Sequence, residues 1–438
     1  MALAAKIENQ KDENDKVLAH RYPLILRKSN VSILSLPYLV ARRISKNKAG
    51  SFSTVINRIA VISIAVALAA LICTYMILEG FENTIKQKIY SFSGQLVISK
   101  YTLSTSYEQT PIGVSDSLIQ GLESLPGVDY VQAYAYKAGL LKTDEEVQGI
   151  ILKGVDQKID TVSFGQHFIN GRFPHFPEEG YGTEVAISKK IAGYLKLKVG
   201  DEVLVFFLQD PPRLRKLQIT GIYETGLEDF DEKVILGDIN LVRRMNSWDK
   251  ETAGGLEVFL DDPETMESAE EMVFDNTEAD LYVDKVSDKY VQIFDWLRLL
   301  NRNVVIFFSL VLFVASFNMV SILLILIMER TQMVGVFKAL GAANGLLRRI
   351  FFLNGLNLIT RGVLWGNFVA LTFCVIQDYF KIVPLDPANY YMSHVPIVFD
   401  WLMWVLINLF VVIITALALF IPLIVVSRIN PIKSIRFD

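Results

Sequence analysis

The sequence predicts an α-helical membrane protein of four transmembrane helices, in a one-plus-three arrangement around a large α+β domain. Three observations carry that expectation. Residues 59–78, 303–328, 350–378 and 401–426 are apolar runs, each long enough for the about 20 residues that cross about 30 Å of hydrocarbon. Between the first two runs, residues 80–300 alternate short β-rich stretches with amphipathic ones. A chain that is 52% hydrophobic yet 21% charged is too apolar for an ordinary soluble enzyme and too charged to be membrane throughout.

Taken in order, residues 1–30 read as a polar cytoplasmic leader, with no apolar core of a cleavable signal. Residues 31–55 combine apolar positions with Arg42, Arg43, Lys46 and Lys48, as an interfacial helix or a basic leader would. The first span, 57–79, has bases before it and Glu79 and Glu82 after it, which orients its N-terminus inward. In the outside domain, 80–300, two parts mirror each other. Strand 95–101, helix 114–124 and strand 128–141 come first; strand 256–260, helix 263–275 and strand 280–286 come last. Two such β-α-β units close into one split sheet, with an insertion at about 145–250 forming a strand-rich subdomain. Helix 287–300 then runs without Gly or Pro into the second span, 303–328.

The third span, 350–378, carries Gly362 and Gly366, a spacing that lets helices approach closely in lipid. It also carries Arg361, whose mid-membrane placement costs about 2.5–3.5 kcal/mol unless it is paired, snorkels or faces a polar cavity. An outside loop at 379–399, a fourth span at 400–427 with Pro422 near its end, and a basic cytoplasmic tail at 428–438 complete the chain.

The stretch 329–349 stands between two apolar runs and holds Arg330, Lys338, Arg348 and Arg349 against Glu329 alone, so it is expected in the cytoplasm. Met333, Phe337 and Leu340 form an apolar stripe at helical spacing, and Gly341 is placed for a left-handed C-cap. The stripe has two uses open to it: resting on lipid headgroups, or inserting into a partner's groove.

Several chemistries find no sequence support. No P-loop, H-E-x-x-H, C-x-x-C or G-x-S-x-G motif occurs. The four histidines are scattered, and Cys73 and Cys374 both lie in apolar runs. No catalytic residue, metal site or cofactor is therefore expected. A net charge of −4 argues neither way about nucleic acid, and no nucleic-acid partner is expected.

Three stretches carry a resemblance: Leu78–Glu82 at the exit of the first span, Asn318–Ala342 with Phe337-Lys338-Ala339-Leu340-Gly341-Ala342, and the tail Ser427–Arg436. With these, the chain resembles permease subunits of lipoprotein-releasing ABC transporters of the LolC/LolE type, within the MacB/FtsX-like permease group. The resemblance implies a periplasmic MacB-like domain with a Porter-like split β-α-β unit and an inserted Sabre-like unit, in the cell inner membrane with both termini cytoplasmic. It implies a separate ABC ATPase that docks on 329–349 through Glu329, Arg330, Met333, Phe337, Lys338, Leu340 and Gly341. It also implies a second permease, as homo- or heterodimer, enclosing a central cavity formed by the first two spans, with lipoprotein cargo and membrane lipid as partners. Acyl chains need an apolar path, and the first two spans offer one through Ile72, Met76, Val311 and Phe317. The activity implied is extraction of lipoproteins by mechanotransmission; MacB-like efflux and FtsX-like regulation of periplasmic enzymes are the alternatives. The chain departs from the LolC pattern at Gln209–Lys216, too short for the protruding hairpin that grips a periplasmic carrier. On that count it is more LolE-like or of a lineage with a different handoff, and whether a periplasmic carrier docks on this subunit stays open.

Overall fold

The computed structural model describes residues 38, 40, 52–102, 109–143, 146–157, 164–165, 167–207, 209–386 and 390–428. The expected leader at 1–30, most of the interfacial helix at 31–55 and the tail after residue 428 lie outside the described residues.

Helix α1, Phe52–Ser93, contains the first apolar run and continues past it. Strand β1, Leu96–Lys100, and the short β2, Ile112–Gly113, follow. Ser115 then caps α2, Asp116–Glu123, by accepting a hydrogen bond from Leu118 N, which satisfies one orphan donor of the first turn. The long strand β3, Val128–Lys142, and β4, Val147–Val155, form an antiparallel hairpin. Next come β5, Phe168–Gly171; β6, Glu184–Ser188; α3, Lys189–Leu195; β7, Glu202–Phe207; and β8, Arg213–Tyr223. A single turn, α4, Glu228–Asp231, leads to β9, Val234–Asp238, and α5, Ile239–Asn246. Strand β10, Thr252–Ala253, pairs with β2; then β11, Gly255–Leu260, α6, Met266–Asp275, and β12, Leu281–Lys285, close the domain.

The strand pairing makes two structures that share β3. In the first the order is β12-β1-β11-β3, all antiparallel, so β1-α2-β3 and β11-α6-β12 interleave as a split β-α-β sheet. In the second, β3-β4-β9-β6-β8-β7 returns to β3 and closes a six-stranded barrel, leaving β5 on the edge of β8. Closure removes the free edges that an open insertion would expose. Strands β6 and β9 are not visible as alternation in the sequence. Val185–Ser188 and all of Val234–Asp238 are buried, so each reads as a short continuous run.

After α7, Val286–Lys289, helix α8 runs unbroken from Val291 to Glu329. The short α9, Thr331–Ala339, precedes α10, Asn344–Phe380. The last apolar run is two helices, α11, Trp401–Ala418, and α12, Phe420–Arg428. The break has a covalent cause: Pro422 has no N–H to give the Ala418 carbonyl, and its ring crowds that carbonyl. By length and composition four helical segments suit a membrane: Thr54–Ser93, Val291–Glu329, Asn344–Phe380 and Trp401–Ser427. The described residues form two compact units. One joins the chain up to Ala70 with Leu310–Val369 and Val405 onward; the other joins Leu71–Ser309 with Ala370–Trp404.

In the second unit, Lys153 on β4 and Glu257 on β11 meet at 2.7 Å, with 2% of each side chain exposed. Lys153 also donates to the Phe92 carbonyl near the end of α1, and its ammonium lies 4.6 Å from the centre of the Phe92 ring. Burial pushes the lysine down and the glutamate up, while each charge opposes the shift of the other. Removing one partner of such a pair costs roughly 3–5 kcal/mol, whereas an apolar pair of similar volume is nearly neutral. Glu257→Leu is therefore expected to lower the chemical-denaturation midpoint sharply, and Lys153→Met with Glu257→Leu to restore most of it. A double variant as unstable as the single one would show that packing, not charge, sets the cost.

A pH dependence follows from His167, whose Nε2 lies 3.1 Å from Ser91 Oγ. Burial, then the Lys88 ammonium, push the imidazole down to about 4, below its usual 6.5. Between those values the unfolded chain binds the extra proton, so stability is present above pH 6.5 and is lost as pH falls towards 4. Thermal melts across this window are expected to show a shallower slope for His167→Gln than for the wild type.

Candidate functional site

The expected coupling residues lie at the junction of α8, α9 and α10, all within the first unit. Glu329 ends α8 on the surface, and half-buried Arg330 separates α8 from α9. Met333 and Phe337 pack inward against a core that includes Ile327, Val334 and Phe351. Lys338 Nζ donates to the Ser427 carbonyl at 3.0 Å, and Arg348 Nε donates to Ser427 Oγ at 2.7 Å, so the end of α12 is tied to this helix. Leu340 is 79% exposed and Val336 46% exposed, four residues apart on the outer face. The structure thus separates the stripe: Leu340 faces outward with Val336, while Met333 and Phe337 hold the helix down. Sequence periodicity missed Val336, because a stripe shows which residues share a face and not which face is covered.

Gly341 takes a left-handed φ of +87°. Its N–H bonds to the Lys338 carbonyl and the Ala342 N–H to that of Phe337, the paired bonds of a Schellman C-cap. That cap ends α9 immediately after Leu340 and leaves the leucine at the tip.

The expected cargo residues divide between the two units, Ile72 and Met76 in the second, Val311 and Phe317 in the first. Ile72 and Met76 are fully buried, and the Met76 carbonyl accepts from Val398 N at 3.2 Å. Val311 lines an apolar groove of ≈ 490 Å³ between α1 and α8, with Ile59, Ile62, Val66 and Val314. Phe317 is exposed and stacks on Phe313. On α1 the residues that line the groove run from Ile59 to Ala70 and end just before Ile72. Asn318 Nδ2 donates to Ser63 Oγ at 2.8 Å and pins α8 to α1 beside it; such polar pairs hold helices together where lipid gives no hydrophobic drive.

In the second unit, the outer part of α1 and the first turns of α8 are clasped together. Phe81 meets Trp296 edge to face at 5.5 Å, and Asn301 donates to Glu82 at 2.7 Å. The loop before α11 closes over them: Lys88 donates to the Tyr391 carbonyl at 2.6 Å, and Tyr391 packs on Trp296. A Cβ on Gly80 would sit 2.8 Å from the Pro396 carbonyl oxygen. Glycine there is a condition of the loop's approach, a role that the motif Leu78–Glu82 does not disclose by itself. Gly80→Val is expected to destabilise the protein by about 1–3 kcal/mol and to open 390–400 to limited proteolysis. Unchanged cleavage at that loop would argue against the contact.

Among the described residues no cluster of three His, Cys, Asp or Glu could hold a metal ion. The fold and these surfaces define a membrane protein whose four apolar helical segments carry one α/β domain built from a split sheet and a closed barrel. Residues 59–273 match the family described as MacB-like periplasmic core domain, and residues 305–431 match the FtsX-like permease C-terminal family. Over 382 residues the chain is 22% identical to the lipoprotein-releasing system transmembrane protein LolC of Neisseria meningitidis serogroup B, covering 83% of this chain and 88% of that protein. It is 22% identical over 404 residues to the corresponding LolE protein of Haemophilus influenzae, covering 88% and 94%. Among solved structures, the periplasmic region of MacB from Actinobacillus actinomycetemcomitans aligns at 14% identity with a TM-score of 0.33, covering 46% of this chain and 92% of that one. The chain thus joins a part similar to the MacB-like periplasmic core domain to a part similar to the FtsX-like permease C-terminal family, and it resembles LolC and LolE proteins along most of its length.

Proposed function

We propose that this chain is the permease subunit of a transporter that extracts lipoproteins from the inner membrane, driven by a separate ATPase. The observation that carries the reading is similarity to LolC and LolE proteins along most of both chains, spans and domain together. In this reading the split sheet is Porter-like, the barrel is Sabre-like, and both lie in the periplasm. Both termini and α9 lie in the cytoplasm, and a second permease completes the cavity. The ATPase grips the outward face of α9, and its motion passes along α8, which has no break between Val291 and Glu329. Acyl chains of the cargo enter the groove at Val311.

The orientation is tested by single cysteines at Ser117 and Asn344, both exposed, in a background lacking Cys73 and Cys374. An impermeant thiol reagent added to intact spheroplasts is expected to label position 117 alone. Equal labelling of both positions would contradict the orientation.

Docking is tested on the exposed residues, because Phe337→Glu would also disturb the core beneath the helix. Burying a leucine contributes roughly 1.5–3 kcal/mol, one to two decades in affinity. Leu340→Asp and Val336→Asp are expected to insert at normal levels yet lose the co-purifying ATPase. Gly341→Val is expected to weaken it less, since a β-branched residue resists φ +87°. Full ATPase retention by both aspartate variants would rule this helix out. Lipid-modified protein is expected in the wild-type pull-down; a periplasmic hydrolase in its place would favour the regulatory alternative.

A further inference from the structure

Between α1 and α10 lies a second cleft, of ≈ 540 Å³, which shares Ile62 and Val66 of α1 with the groove at Val311 and has its other wall on α10. Its volume falls within the about 300–1,000 Å³ of small-ligand sites. The two helices run side by side. A Cβ on Gly362 would meet Ile64 Cβ at 2.6 Å, and one on Gly366 would meet the Ala65 carbonyl oxygen at 2.9 Å. Those glycines seat α10 on α1 and set Arg361 level with the first turns of the apolar run, about 18 Å of helix rise beyond Arg349.

The cleft is amphiphilic. Arg58 and Arg361 both line it, and both are exposed. Among the described residues neither has a carboxylate partner, and no acidic residue lines the cleft. The buried Oδ1 of Asn57, also in its lining, has no hydrogen-bond partner among the described residues. Further along the same helices the walls turn apolar, with Val66, Trp365 and Val369. An arginine held this deep in hydrocarbon calls for a counter-charge or a route to water.

We propose that this cleft binds an anionic phospholipid with a hydroxyl-bearing headgroup. Its phosphate lies between Arg58 and Arg361, where guanidinium forks match phosphate oxygens. A headgroup hydroxyl donates to Asn57 Oδ1, and one acyl chain follows Val66, Trp365 and Val369. Under the proposed orientation the lipid belongs to the cytoplasmic leaflet, and only that assignment rests on the functional reading. The two-charge rim selects against zwitterionic lipids, whose ammonium would face two cations.

Native mass spectrometry of the full-length protein in mild detergent, titrated with phosphatidylglycerol or phosphatidylcholine, tests the site. About tenfold preference for phosphatidylglycerol is expected, the scale of one charge-assisted hydrogen bond. Arg58→Gln and Arg361→Gln are each expected to abolish that preference, and Arg349→Gln to leave it. Val369→Trp fills the acyl path with both arginines intact and outside the groove at Val311, and is expected to reduce lipid retention at unchanged melting temperature. Equal retention of the two lipids by the wild type, or undiminished preference in Arg361→Gln, would overturn the proposal. So would efficient cross-linking of two copies through a cysteine at Trp365, which would assign the cleft to a second permease. Thiol labelling reports orientation separately, so an inverted topology with intact lipid preference would move the site to the other leaflet without removing it.

Discussion

The Lys153 ammonium and the Glu257 carboxylate meet beneath the outer end of α1, shut off from solvent by Phe92, Tyr134 and the two strands that carry them. β4 belongs to the barrel and β11 to the split sheet, while the Phe92 carbonyl belongs to the helix that leads back to the membrane. Three structures are therefore joined at one buried point. Neither ion is tolerable there without the other, because desolvation of a lone charge outweighs what packing returns. Under the proposed function the domain moves as a body, and a joint that resists slipping serves that motion.

The same logic of fixed joints runs through the chain. Gly80 lets the loop around Pro396 close on α1, and the Schellman cap at Gly341 ends α9 with Leu340 at its tip. Asn318 with Ser63, and Asn367 with Asn408, tie helices where lipid supplies no hydrophobic drive. Each is a short polar or steric device at the end or flank of a long apolar helix.

Much of this was legible in the sequence because the physics concerned was local. Apolar run length gave the helices, β-rich runs at 95–101 and 128–141 gave β1 and β3, and glycine after a stripe gave the left-handed cap. What depended on tertiary pairing was hidden. Closure of β7 onto β3 leaves no mark on either strand, and β6 and β9 lack alternation because both faces are covered. Lys153 and Glu257 did leave a signal, one charge inside each apolar strand, but only the fold shows that the two charges meet. At the candidate site, periodicity showed which residues share a face but not which of them the neighbouring helices cover: Met333 and Phe337 pack inward, Leu340 and Val336 are exposed, and Ile72 and Met76 are buried.

Under the proposed function the permease holds its cargo by the cargo's lipid. Proteoliposomes containing this permease, its co-purifying partners and a triacylated lipoprotein test it against the same cargo with its lipidated cysteine replaced by alanine and tethered by a transmembrane helix. The account predicts ATP-dependent release of the acylated form alone, suppressed by Val311→Asp in the groove between α1 and α8. Equal ATP-dependent release of both forms would contradict it.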